Sequence, residues 1–248
     1  MSDLDIVIPV YNEGENIVDT LAALGRDVKT PFRVLLCYDT NEDTTLTALR
    51  GKRFNFEIVP VKNRGTGVHG AIMTGLDAST AGAVLTFGAD EPYNAVIVDG
   101  MYAKLKEGND VVVASRLAKG GEMGGGPWFK SFVVAAASFI LHWFVGIPAT
   151  DATYAWRMFS RRILDTVAIE STEGFTYAIE LLVKCHRLRW KVAEVPAKWL
   201  KREKGESRFN FKKWLPHYFR WFVYALETTY LRKGPETVKM KVNTNNTK

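Results

Sequence analysis

Leu4-Asp5-Ile6-Val7-Ile8-Pro9-Val10-Tyr11-Asn12-Glu13 is the stretch on which the reading of this chain turns. A nearly unbroken apolar run over Leu4 to Val10 is the mark of a strand covered on both faces, as in a parallel sheet sheltered by helices. Pro9 is expected to end the ladder, and the polar residues that follow meet an oncoming helix N-terminus. Such a corner suits a nucleotide.

Further short apolar runs at Phe32 to Cys37, Phe56 to Val61, Ala83 to Phe87 and Val111 to Ser115 predict more strands. Between them, Ile17 to Leu24, Val68 to Leu76 and Val96 to Leu105 carry apolar residues at three- and four-residue intervals, as helices covering a sheet do. The alternation predicts an α/β fold with a mostly parallel central sheet and helices on both faces. Ligands of open α/β sheets bind beyond the carboxyl ends of the strands, so the polar residues after each run are the candidates for function.

The second half changes character. A glycine-rich loop, Gly120 to Gly126, precedes an apolar stretch from Ser131 to Ile147 that contains Ser138 and His142. It is short for a membrane span of about 20 residues, and a buried or interface-lying helix is expected. Strands are predicted at Ala155 to Phe159 and Lys191 to Val195, with a helix over Thr172 to Arg187 between them. From Phe209 to Leu231 aromatics mix with Lys212, Lys213 and Arg220, and Trp214, Tyr218, Trp221, Phe222 and Ala225 form one stripe at helical spacing. That stripe fits either a helix docked on the core or one lying on a membrane surface. The predicted division is therefore an α/β domain over 1–208, an amphipathic aromatic and basic helix over 209–233, and a disordered polar tail over 234–248.

Composition sets the outer bounds. In 248 residues, 47% are hydrophobic and 24% charged, which excludes disorder and allows a sizeable core. Lys and Arg outnumber Asp and Glu 33 to 27, a net charge of +6 that favours an anionic partner. The basic residues form no continuous stripe with a nucleic-acid reading motif, so no nucleic-acid partner is expected. Cys37 and Cys185 have no metal-ligand spacing and read as buried thiols. The N-terminus shows no secretion signal, which predicts a cytosolic protein; the glycosylation match at Asn245-Asn246-Thr247 is then accidental.

The chemistry-bearing residues follow the strands. After the first stand Pro9, Tyr11, Asn12 and Glu13; after the second, Asp39, whose carboxylate can accept from a base or ribose, with Asp43 read as a helix cap. After the fourth comes Gly88-Ala89-Asp90-Glu91-Pro92. A carboxylate pair there can hold Mg²⁺ or Mn²⁺ against a diphosphate, because hard cations take oxygen ligands and share substrate phosphates.

With Asn63-Arg64-Gly65-Thr66-Gly67, Ala114-Ser115-Arg116, Asp151 through Arg157 and Gly205-Glu206-Ser207-Arg208 added, the chain resembles the family-two glycosyltransferases of the GT-A fold. Within them it looks like the dolichyl-phosphate and other polyprenyl-phosphate sugar transferases, from Leu4 to Leu231. The resemblance implies a donor pocket of Pro9, Tyr11, Asn12, Glu13, Asp39, Asn63, Gly67, Ala89 and Asp90. It implies Asp90, Glu91, Arg116 and Asp151 as catalytic residues, with Asp90 and Glu91 at the metal. Arg116, Lys130, Arg157, Arg202, Ser207 and Arg208 would surround the acceptor and its phosphate, where arginine forks suit phosphate oxygens. Two departures stand out: Gly88 replaces the aspartate that usually begins the metal motif, and the paired aspartates after the second strand are reduced to Tyr38-Asp39.

The expected activity is inverting transfer of a hexose from a nucleotide-sugar of GDP-mannose or UDP-glucose type to a polyprenyl or dolichyl phosphate. It would run at the cytosolic face of a membrane, on a peripherally bound enzyme, and a membrane-anchored partner subunit is compatible with it. A phosphate acceptor is mostly dianionic at neutral pH and needs no strong general base. Three rivals remain at this level. A sugar-hydroxyl acceptor would need a carboxylate base, with Glu91 and Asp151 as candidates. A catalytically silent scaffold would explain Gly88. An NAD-dependent oxidoreductase would use Gly65-Thr66-Gly67-Val68-His69-Gly70, although Lys62-Asn63-Arg64 separate that glycine run from its strand.

Overall fold

The computed structural model describes residues 2–124, 128–200 and 211–242; of Lys130, Phe211, Lys212 and Lys213 it describes the backbone alone. In chain order the elements are β1 (Leu4–Val10), α1 (Asn16–Asp27), β2 (Phe32–Tyr38), α2 (Thr44–Leu49), β3 (Glu57–Lys62), α3 (Gly67–Ala78), β4 (Ala83–Thr86), a 3₁₀ turn (Pro92–Ile97) and α4 (Val98–Lys106). Then follow β5 (Val111–Ser115), β6 (Glu122–Met123), α5 (Trp128–Trp143), β7 (Arg157–Ser160), α6 (Arg161–Thr166), α7 (Thr176–Arg187), β8 (Val192–Pro196), β9 (Lys198–Trp199) and α8 (Phe211–Tyr230).

Seven strands form the central sheet in the order β3-β2-β1-β4-β7-β5-β8, and β6 pairs with β9 beside it. All but β7 are parallel, the mostly parallel α/β architecture expected from the alternating runs. The antiparallel β7 enters between β4 and β5, with Arg157 opposite both Thr86 and Val113. Parallel strands β1, β2, β4 and β5 therefore end at one rim, and the chain enters β7 from that same rim.

Each face of the sheet has its own core. Val7, Leu35, Val113 and Phe159 pack with α3, α7 and α8 on one side; Ile6, Ile8, Leu36 and Met158 pack with α1 and α4 on the other. α3 comes close because Gly75 has no side chain: a Cβ there would lie 2.4 Å from Val7 Cγ1 and 2.7 Å from Cys37 Sγ.

In the C-terminal region the helix falls where it was expected, its stripe takes the first of the two readings, docked on the core, and the tail departs from expectation. The stripe on α8 faces the protein: Trp221 and Ala225 are buried, and Tyr218 and Phe222 pack against the same core. Trp221 Nε1 donates to Ser171 Oγ, and the buried Lys184 ammonium, which donates to Glu170, Glu180 and the Ala168 carbonyl, lies 5.1 Å from the Trp221 ring. The tail is not disordered from 234 onward. Ala168 N–H donates to Lys239 O, Lys241 N–H to Thr166 O, and Val238 is buried, so the chain is tied down as far as 241. Residues 243–248 lie outside the described residues.

Candidate active site

At the rim, neighbouring strands are about 4.8 Å apart, so the ends of β2, β1 and β4 fall within roughly 10 Å and that of β5 lies two strands further on. Those ends carry Asp39, Tyr11, Asp90 and Arg116, on one side of one sheet. Tyr11 is half exposed and Asp39 and Asp90 are half-buried, as groups that meet a solute must be.

Pro9 opens this rim by an unexpected route. It does not end β1, whose pairing with β2 continues through Pro9–Cys37 to Val10–Tyr38. On the β4 side the last bond is Phe87 N–H to Val7 O at 3.0 Å. In a parallel ladder the next donor toward that neighbour is two residues on, at position 9, where proline has no N–H. β1 and β4 therefore part just where Asp90 emerges. Thr20 of α1 fixes the departing strand by donating its hydroxyl to Ala89 O at 2.8 Å.

The β1 and β2 corners are tied together. Asn12, with a left-handed backbone (φ 55°), donates its N–H to both Asp43 oxygens at 3.1 and 3.0 Å, and Thr44 N–H donates to Asn12 Oδ1. Asp43 also caps α2 through Thr45 N–H, the cap role its position suggested. Glu13 N–H donates to Thr45 Oγ1. Asn63 donates to Asp39 Oδ1 at 2.6 Å and to Gly67 O, linking the β2 and β3 corners.

Gly88 and Glu91 behave differently from a metal pair. A Cβ on Gly88 would lie 2.9 Å from Trp156 Cζ2 and 3.3 Å from Glu91 Cγ, so the indole takes up the space of an aspartate side chain. The Glu91 carboxylate is buried; Tyr154 OH and Asn94 Nδ2 donate to its Oε2. Burial pushes its pKa up to about 7, outweighing the hydrogen bonds that favour its charged form. A carboxyl half protonated at neutral pH and aimed at a tyrosine is a poor ligand for a hard cation. Asp90 fits one, since Mg²⁺ commonly takes one or two carboxylates and completes its shell with substrate phosphates and water. Among the described residues no group of three or more His, Cys, Asp or Glu forms a metal cage. Of the two carboxylates expected at a metal, Asp90 alone has surroundings that fit a hard cation.

Three other expected roles change. Arg116 is held by Asp151 in a bidentate pair, Nε to Oδ2 at 2.7 Å and Nη2 to Oδ1 at 3.0 Å, and lies against Tyr154 and Trp199. Asp151 is fully buried and also accepts from the N–H groups of Arg116, Thr153 and Tyr154. Arg116 depresses its pKa against the pull of burial, so Asp151 stays a satisfied anion and not a base. Arg157 is also fully buried, donating to the carbonyls of Tyr154, Ala178 and Ala152. It braces the 151–157 turn from inside the fold, with its guanidinium turned to carbonyls and away from solvent. Arg202, Ser207 and Arg208, and the side chain of Lys130, lie outside the described residues.

Sequence reading missed Tyr154, Trp156, Asn94 and Trp199 as constituents of this site. A signal was present in the aromatic pair inside Asp151 to Arg157, but its partner Glu91 is 63 residues from Tyr154.

The sequence profile "Glycosyl transferase family 2" matches residues 5–168. The chain is 28% identical over 220 residues to an undecaprenyl-phosphate mannosyltransferase of Micrococcus luteus, covering 82% of this chain and 86% of that protein. To a dolichol-phosphate mannosyltransferase of Pyrococcus furiosus it is 21% identical over 226 residues, 88% of this chain and 63% of that protein. Among solved structures, glucosyl-3-phosphoglycerate synthase from Mycobacterium tuberculosis, in complex with Mn²⁺, UDP and glucosyl-3-phosphoglycerate, superposes with a TM-score of 0.61 at 14% identity. It covers 92% of this chain and 80% of that one.

Proposed function

Because the chain belongs to glycosyl transferase family 2, we propose that it transfers a hexose from a nucleotide-sugar to a polyprenyl phosphate at a membrane surface. The observation that carries the acceptor assignment is the outer face of α5. Trp128, Phe132, Phe139 and Trp143 are all more than half exposed there, and the helix begins five residues after Met123, whose strand pairs with the β9 strand carrying Trp199. No described helix is long and apolar enough to cross a membrane. An exposed aromatic helix face beside a catalytic rim instead fits an enzyme lying on the bilayer that holds its substrate. The relatives named for undecaprenyl and dolichol phosphate support the same acceptor class.

In this reading the donor occupies the rim from Asp39 to Asp90, with Tyr11 and Asn63 beside the base and ribose. An acceptor phosphate oxygen forms a bond to C1 of the sugar as the bond from C1 to the diphosphate breaks, with inversion. Asp90 would hold a divalent ion, Mg²⁺ or Mn²⁺, whose contribution is charge neutralisation of the departing diphosphate. The chain's own task is to orient two anionic groups. No proton has to be removed from the acceptor, which agrees with the engagement of both Glu91 and Asp151 in internal hydrogen bonds. A sugar-hydroxyl acceptor would need one of them as a base.

Incubation with a panel of labelled nucleotide-sugars and a polyprenyl phosphate, followed by lipid extraction, tests this. Label in the lipid phase with at least one donor is expected. Transfer only to sugar hydroxyls, or to nothing, would overturn it.

A further inference from the structure

At the end of the sheet opposite the candidate rim, the C-terminal ends of α7 and α8 line a half-open cavity of about 360 Å³. Its lining includes His186, Arg187, Arg189, Thr228, Arg232 and Lys233. We propose that this cavity binds the phosphate headgroup of an anionic membrane lipid. The proposal rests on the membrane-surface reading above and adds a second, non-catalytic contact to it.

Charge is the first argument. Two carboxylates are at hand: Glu227, 2.9 Å from Lys233 Nζ and 3.7 Å from Arg187 Nη2, and Glu236, whose Oε1 accepts from the N–H of Gly234 in the cavity wall at 3.2 Å. Each helix C-terminus adds about half a negative charge. Four cations against these leave roughly one positive charge unmatched. The side chains of Arg189 and Arg232 make no hydrogen bond or ion pair among the described residues. Backbone conformation is the second argument. Arg189 and Arg232 both follow the end of a helix in the left-handed region, with φ 58° and 52°. Glycine is the residue that adopts that conformation without steric cost, and it is the usual choice there. At both positions the chain carries arginine instead, and both arginines line this cavity.

The third argument selects the ligand. Thr229 of the cavity wall donates to Val145 O at 3.0 Å, and Tyr230 OH donates to Phe144 O at 3.3 Å, so the end of α5 abuts the cavity. Trp143, Phe144, Tyr230 and Leu231 are each more than half exposed around it. A free anion would need the cations alone. A phospholipid needs both, because its headgroup sits at the depth where aromatic side chains partition.

The test is co-sedimentation of the full chain with vesicles of phosphatidylcholine, with and without phosphatidylglycerol. R189Q/R232Q should lose roughly 30-fold in partition onto the anionic vesicles, the effect of two surface cations, and bind the neutral vesicles as before. A control of equal charge, R53Q/K106Q, removes two exposed cations elsewhere and should partition within about threefold of wild type. Equal losses in the two variants, or no preference of wild type for anionic vesicles, would overturn the site. So would saturable calorimetric binding of inorganic phosphate that R189Q/R232Q abolishes, which would assign the cavity to a free anion. Transfer to a short-chain prenyl phosphate in detergent should be the same in R189Q/R232Q and wild type. Its absence from wild type with every donor would refute the proposed function and leave the vesicle result standing by itself.

Discussion

The indole of Trp156 stands where a side chain on Gly88 would project, 2.9 Å from the position of a Cβ. The aspartate missing from this metal motif has thus been exchanged for an aromatic wall. Restoring it should not restore a two-carboxylate site. Gly88→Asp is expected to overpack the turn by about 2 kcal/mol, a fall in Tm of roughly 4–8 °C. Trp156→Ala creates a cavity and costs more, but the double variant should be at least about 0.5 kcal/mol less destabilised than the two effects added. Thermal unfolding of all three proteins checks this, and strict additivity would show that the two residues do not share the space.

Asp90 remains as the rim carboxylate suited to a diphosphate-bound cation. Asp90→Asn should lower kcat by roughly 100-fold or more, the scale of removing one preorganised electrostatic group, with Tm within about 2 °C of wild type. Activity and unfolding measured on the same preparation decide it; full turnover in the variant would remove Asp90 from the mechanism.

Glu91 predicts a pH dependence of stability. Its folded pKa, about 7, lies above the ordinary 4.5, so the folded state holds the proton more tightly than the unfolded chain does. The stability this supplies is complete below about pH 4.5 and is lost as pH rises through 7. The loss by pH 8 is roughly 3 kcal/mol. Glu91→Gln, neutral throughout, should flatten the curve between pH 5 and 8, as read from urea midpoints. An unchanged slope would place the titration elsewhere.

The Arg116–Asp151 pair is a brace for the rim. Asp151→Ala leaves a buried guanidinium without its anion and should cost about 3–5 kcal/mol. Removing both partners should cost less than removing Asp151 alone, by a margin visible in chemical denaturation. A double variant no more stable than Asp151→Ala would contradict a structural role for the pair.

The outer face of α5 predicts binding independent of lipid charge. Phe132→Ser with Trp143→Ser should weaken sedimentation with neutral and anionic vesicles alike, with Tm within about 2 °C, since both side chains are exposed by two-thirds or more. Unchanged sedimentation would turn the membrane contact over to another surface.

Much of the fold was legible because buried parallel strands write themselves as apolar runs. Leu4–Val10 and Val111–Ser115 match the predicted strands at both ends. The short helices α2 and α6 were missed, since six residues carry too little periodicity to register. At the site, sequence placed Tyr11, Asp39, Asp90 and Arg116 on one rim because strand ends carry it. It misjudged Arg157 and Asp151, because a charged residue at a strand end reads the same whether it faces a ligand or the interior.

The amino-acid order alone determined the α/β class, the rim on which the candidate residues gather and the family resemblance, all of which depend on local pattern and on the direction of successive strands. Only the tertiary structure decided that β7 enters antiparallel between β4 and β5, which delivers Tyr154 and Trp156 to Glu91 and Gly88. It alone also turned the α8 stripe inward and left the α5 face outward. The physical reason is common to all of these: burial and partnership are properties of contacts between residues far apart in the chain, and no local window contains both sides of such a contact.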